Sequence, residues 1–197
     1  GDFKIQGILP DISFLNDFLK GEGVNIPRNL SLSANLKAVK GVMDFSGRLC
    51  QKNGCLLIEA NYNMPAEIYN ATLVLNDFPL NRFLPADSLG SVSADFRLAG
   101  RGWDWRKAEA EITAGIRAFE YKRHIYENIE LEAAVRQTHL NGKLQSADPA
   151  AKFDLTFRAD SVEKRYEAEI KGRVANVDLK ELNLMPHPLA VGLGINI

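Results

Sequence analysis

The chain has 197 residues, 46% of them hydrophobic, with 24 basic against 25 acidic side chains and a formal charge of -1. That supplies apolar material for one sizeable core or two small ones, and the even mixing of charges leaves no basic stripe for a nucleic-acid backbone. Nucleic acid is therefore excluded as a partner, and no apolar run approaches the roughly 20 residues of a membrane-crossing helix.

In chain order, the first readable element is a short helix. Asp11 precedes Ile12, Leu15, Phe18 and Leu19, whose spacing makes one apolar stripe, and Gly21 can end it. Residues 1–29 thus read as an N-terminal helix and linker. From Leu30 onward the period changes to two. Leu30, Leu32, Ala34, Leu36 and Ala38 interleave with Ser31, Ser33, Asn35 and Lys37, the signature of a half-buried antiparallel strand. Strands read at about 30–39, 42–50, 55–62 and 67–76, after which Pro79, Leu80, Phe83 and Leu84 suggest a helical turn before Pro85.

A second series follows, with strands at about 91–100, 108–119, 125–136, 138–146, 151–160 and 165–175. In the fifth of these, Phe153, Leu155, Phe157 and Ala159 alternate with Lys152, Asp154, Thr156 and Arg158. Asp178 with Glu181 forms a capping box for a helix carrying Leu179, Leu182 and Leu184. The expected organisation is a first β-group at 30–88, a second at 89–189, and the start of a further one at 190–197, where Val191, Leu193, Ile195 and Ile197 alternate. Such weak, long repetition favours an extendable architecture, and the chain reads as an internal piece of something longer.

Small residues share phase with the large apolar ones at Ala60, Ala71, Ala114, Ala118, Ala133, Gly142, Ala168 and Gly172, which would let a sheet bend with its dry side inward. The expected fold is mainly β: one long, curved, mostly antiparallel sheet, a β-taco or groove, with an apolar concave face and short helices capping strand groups.

Chemistry-bearing constellations are weak. The pairs Glu109/Glu111, Glu130/Glu132 and Glu167/Glu169 fall on the wet side of their strands, whereas acid–base catalysis needs carboxylates in differing environments within a cleft. His124, His139 and His187 are too scattered to complete a zinc set with Cys50 and Cys55. The two cysteines flank a hairpin turn. A four-residue loop would set them face to face and allow a bridge, while a two-residue turn at Asn53-Gly54 would pair Cys50 with Leu57. Trp103 and Trp105 read either as an aromatic plug at a strand junction or as a sugar-stacking platform. No catalytic residue, metal site or cofactor is expected, and function belongs to a surface.

The energy scale supports that view. Leaving on the order of 1,000 Å² of dry face exposed forfeits roughly 25 kcal/mol at about 25 cal/mol/Å², more than a domain's usual net stability of about 5–15 kcal/mol. The dry face must meet a second sheet, another chain or an apolar ligand.

Several motifs follow one another in a set order: Phe119-Glu120-Tyr121, Ile125-Tyr126-Glu127-Asn128-Ile129-Glu130-Leu131, Leu140-Asn141-Gly142-Lys143-Leu144, Asp148-Pro149, and Val177-Asp178-Leu179-Lys180-Glu181-Leu182-Asn183-Leu184. With Ser93-Ala94-Asp95-Phe96 and Gly100-Arg101-Gly102 before them, they resemble the central repeats of the TamB and AsmA-like envelope proteins, particularly Bacteroidetes-like ones, departing at Ala150-Ala151-Lys152-Phe153. The resemblance implies a non-enzymatic segment of an inner-membrane-anchored, periplasm-spanning protein whose apolar groove carries phospholipid between the two membranes. The implied partners are phospholipid acyl chains, further repeats of the same chain and, through a region outside this sequence, an outer-membrane assembly barrel.

The residues expected to line the groove are Leu32, Leu36, Phe45, Ile58, Leu73, Phe96, Leu98, Ile112, Ile116, Leu131, Val135, Leu144, Phe153, Leu155, Phe157, Ile170 and Val174. Two other functions fit the same pattern. One is a scaffold for outer-membrane protein assembly, acting through an edge strand. The other is a self-contained β-sandwich that binds carbohydrate or protein.

Overall fold

Alternation of period two, repeated between short turns, builds antiparallel hairpins, and each hairpin adds its strand to the one before. The computed structural model describes residues 1–9, 25–85, 88–104, 106–162, 165–177 and 193–196. Its strands are β1 (Asp2–Leu9), β2 (Leu30–Val39), β3 (Val42–Gln51), β4 (Gly54–Asn63), β5 (Ile68–Pro79), β6 (Leu89–Arg101), β7 (Glu109–Tyr121), β8 (His124–Arg136), β9 (His139–Asp148), β10 (Ala151–Val162), β11 (Arg165–Val177) and β12 (Leu193–Asn196). They form one 12-stranded antiparallel sheet in strict chain order, open at both ends. A single short helix among the described residues, α1 (Leu80–Phe83), stands between β5 and β6.

The mainly-β expectation is met in architecture, and the strand boundaries from 30 to 177 fall within a few residues of the expected ones. β5 pairs directly with β6, so the two expected strand groups share one sheet. β1 is an addition: residues 2–9 pair with β2 inside the segment read as helix and linker. The expected helices at Ile12–Leu19 and Leu179–Leu184 lie outside the described residues, as does Trp105.

Turn chemistry fixes the register. Lys40-Gly41 and Lys122-Arg123 have φ of 49°, 81°, 48° and 68°, the left-handed pair that a two-residue hairpin loop requires. Between β3 and β4 the loop tip is Lys52-Asn53, with Lys52 at φ 56°, so Gln51 closes on Gly54 and Cys50 stands opposite Cys55. The cysteines are bridged, with Cα atoms 4.2 Å apart. Arg48 lies along the bridge, donating from Nε to Cys50 Sγ at 3.2 Å.

Near one end of the strands the ladder slips by a residue, forming a crease across the sheet. On β5, Asn76 and Asp77 together oppose Ser93, between the pairs Leu75–Ala94 and Phe78–Val92. The crease continues where Arg117 and Asn128 are skipped between the pairs Ile116–Ile129 and Ala118–Glu127, and where Ala175 is skipped opposite Lys152–Phe153. Side chains replace the lost ladder bonds. Asp77 N–H donates to Ser93 Oγ at 2.9 Å, and Arg117 Nη2 donates to the Leu75 carbonyl at 3.0 Å while its other nitrogen pairs with Asp95.

The core straddles that crease. Leu75, Phe78, Val92 and Ala94 are buried, with Leu80 and Phe83 of α1 packed over them and the rings of Phe78 and Phe83 stacked at 4.9 Å. Elsewhere the sheet is a single layer among the described residues. Its accessible surface is 13330 Å², against roughly 9,300 Å² for a compact monomer of this mass.

Candidate functional site

Because side chains alternate across a strand, residues directly opposite one another share a face, and the pairings can be followed from strand to strand. One row runs Leu36, Phe45, Ala60, Ala71, Leu98, Ile112, Ala133, Gly142, Phe157, Ile170 from β2 to β11 without a polar member. The next runs Ala34, Gly47, Ile58, Leu73, Phe96, Ala114, Leu131, Leu144, Leu155, Gly172, again without one. A third carries Leu32, Leu49, Leu56, Leu75, Ala94, Ile116, Ile129, Ser146, Phe153 and Val174, and Val135 belongs to a fourth with Tyr69, Gly100, Ala110 and Leu140.

All of the groove-lining candidates therefore fall on one face. Ala118 does not. It pairs with Ser93 and Glu127, because the crease at Arg117 shifts its phase, so it belongs to the polar face instead.

Large and small residues fit together along these rows. The Phe157 ring occupies the space above Gly142, Tyr69 that above Gly100, and Ile58 that above Gly47. The face also has a gradient along the strands. Ile112 and Ile170 in the first row are 38% and 42% exposed, while Leu75 and Ala94 in the third are 8% and 0% exposed. One end is sealed by α1 and the core beneath it; among the described residues the other is open.

At the open end Trp103 follows β6 in the turn to β7. It stacks on Tyr69 with ring centroids 4.6 Å apart, meets Tyr62 edge-on, and donates from Nε1 to the Tyr62 hydroxyl at 2.9 Å. At 65% exposed it closes nothing off. At the sealed end of β8 and β9 the buried Asp148 spans the crease. Its carboxylate accepts from Glu127 N–H at 2.9 Å and Ala150 N–H at 2.8 Å, with His124 Nε2 3.4 Å away. Burial, then the Asp148 charge and Tyr121, push the neighbouring Tyr126 hydroxyl above its ordinary pKa. Sequence reasoning found no role for Asp148, since an Asp-Pro pair at a strand end reads as an exposed turn.

The opposite face is polar. Arg136 reaches Glu111, Lys143 reaches Asp154 and Arg158 reaches Asp160, and a hollow of about 380 Å³ lies among Asn35, Asp44, Ser46, Glu59, Asn61 and Thr72. The carboxylate pairs 109/111 and 130/132 lie here, on strands whose opposite-parity neighbours form the apolar rows. What the arrangement offers chemically is a broad, half-exposed aliphatic and aromatic surface bounded by charge, suited to alkyl chains. Comparison with protein-family models, with curated proteins and with solved structures finds no match to this chain.

Proposed function

We propose that this chain is a non-enzymatic stretch of a periplasm-spanning envelope protein of the TamB and AsmA-like kind, and that its apolar face carries phospholipid acyl chains between the inner and outer membranes. The observation that carries the reading is the unbroken apolar row from Leu36 to Ile170, half-exposed and covered by no second layer among the described residues. Ten strands, nine spacings of about 4.8 Å, make a path roughly 43 Å long across the sheet. Its lining is non-directional, so an acyl chain moving from strand to strand meets similar surface throughout, while the headgroup stays in water beside the charged rim. The Cys50–Cys55 bridge fits an oxidising compartment such as the periplasm.

Photo-crosslinking side chains placed at Leu155 and Phe157, with Arg158 on the polar face as control, test this in cells. Lipid adducts at the first two and not at the third are expected, together with phospholipid in extracts of the purified protein. Adducts with outer-membrane proteins alone would replace the conduit with an assembly scaffold, and no adducts at all would leave a face used for neither.

A further inference from the structure

Two walls of the apolar face stand on one hairpin. The sealed wall is α1, the connection from β5 to β6, whose Leu80 and Phe83 pack over the buried pair Leu75 and Ala94. The other is a stack of rings at the far end of the same strands. Tyr69 lies over Gly100, its partner on β6, and Trp103 stacks on Tyr69 while its indole N–H donates to the Tyr62 hydroxyl. From β7 to β11 the same row holds Ala110, Val135, Leu140, Ala159 and Ala168, so along that row the aromatic rim stops at β6.

Between the two walls the floor is Ala71, Leu73, Phe96 and Leu98, all half-buried. Its length is set by the strands. Tyr69 to Leu75 on β5 and Gly100 to Ala94 on β6 are six residues each, or about 20 Å at roughly 3.3 Å per residue. The hydrocarbon of one bilayer leaflet, half of about 30 Å, is about 15 Å deep. An acyl chain laid along these strands therefore reaches from the foot of the ring stack to the edge of α1. Laid across them, it meets no wall, since the apolar rows continue to β2 and to β11. Trp and Tyr rings also suit one particular level of a lipid, the boundary where hydrocarbon gives way to the headgroup.

We propose that the β5–β6 hairpin is a berth for a single phospholipid, whose acyl chains lie along the strands with their methyl ends against Leu80 and Phe83 and whose glycerol and phosphate sit at Trp103 and Tyr62. The inference rests on the reading that this face carries phospholipid, and it adds a stopping place to an otherwise uniform path. The Tyr62 hydroxyl, which accepts from Trp103, still has its own proton to donate to an ester or phosphate oxygen. Arg101 and Lys107, both exposed around the same turn, supply cations for the phosphate. A lipid lying this way moves broadside from strand to strand, with its headgroup always on the side of the open end.

The test uses the 197-residue chain and phosphatidylcholine vesicles holding a limiting amount of a photoreactive phospholipid. One probe carries a diazirine at the terminal carbon of an acyl chain, the other on the headgroup, and adducts are mapped by peptide mass spectrometry. Terminal-carbon adducts are expected within residues 75–83 and 92–96, and headgroup adducts within 62–69 and 100–104. Trp103→Ala, with the circular dichroism of the parent, should lower the share of headgroup adducts at the rim about two- to tenfold. Should that variant fail to fold, the two probes on the parent chain decide alone. Adducts spread evenly from β2 to β11 would overturn the berth while leaving lipid carriage standing. So would two probes that mark the same residues, which means a chain lying across the strands, and so would a folded Trp103→Ala that labels as the parent does. No adducts from either probe, with no phospholipid in extracts of the protein, would remove the proposed function and the berth with it.

Discussion

The ring of Phe157 lies where a side chain on Gly142 would have to be. Its Cε2 would stand 2.8 Å from an added Cβ, and the Glu132 carbonyl would be 2.5 Å away on the neighbouring strand. Both neighbours would have to move, and one of them is backbone. Gly142→Val is therefore expected to lower stability by about 1–3 kcal/mol, measured as a fall in urea midpoint. Gly115→Ala, on the polar face with open space about it, should stay within about 1 kcal/mol of the parent.

Asp148 holds two backbone donors that the crease has taken out of the ladder. Asp148→Ala strands the N–H groups of Glu127 and Ala150 in a buried place, and a loss of about 2–5 kcal/mol in denaturant unfolding is the expected result. Asp148→Asn keeps one acceptor oxygen and should lose less. Equal losses in the two would mean that the carboxylate serves only to fill space.

Asp160 receives His139 Nδ1 at 2.5 Å and Arg158 Nε at 2.8 Å, and the hydrogen bond from His139, with Arg158 second, holds its carboxyl below the ordinary value of 3.8. A lowered folded pKa gives stability that is complete above the unfolded value and disappears as pH falls through the folded one. The part of the stability difference between the parent and Asp160→Asn that comes from this carboxyl's ionisation should thus be complete above its unfolded value and be lost as pH falls through its lowered folded one. A difference that grew on acidification would contradict the pairing.

The Cys50–Cys55 bridge closes a loop of only six residues at a hairpin tip. Loop-closure entropy for so short a ring corresponds to ~2 kcal/mol, and the double variant Cys50→Ser/Cys55→Ser should lose about that much in thermal or urea unfolding. The sheet itself should persist, since Gln51 and Gly54 still close the turn.

Much of this architecture was legible in the sequence, and the reason is the period. Leu30 to Ala38 and Phe153 to Ala159 alternate without interruption, and both fall on the face that alternation assigns them. Legibility fails where the phase slips. Asp77 and Asn128 take φ of 44° and 53° at the crease, but Asp and Asn occur in exposed turns as readily, so nothing in the sequence separates the two uses. Ala118 was misplaced for that reason. β1 was missed because Gly7 interrupts a short alternation between Ile5 and Leu9. The bridge is undecided in the sequence between a four-residue loop that sets Cys50 opposite Cys55 and an Asn53-Gly54 turn that sets it opposite Leu57; the chain keeps the first pairing but closes it with a two-residue tip at Lys52-Asn53, because Lys52 takes the left-handed conformation expected of Asn53.

Strict chain order among the strands has a kinetic consequence. Each strand meets almost only its chain neighbours, so contacts in this all-β protein close over short loops, which favours rapid zippering over the slow search typical of Greek-key sandwiches. Dissolution should be graded for the same reason, as in other linear arrays. Amide exchange is expected to be slowest around Ala94 and Ala114, where the sheet is buried, and faster along its half-exposed rows, so that one stretch can open and close again without melting the rest.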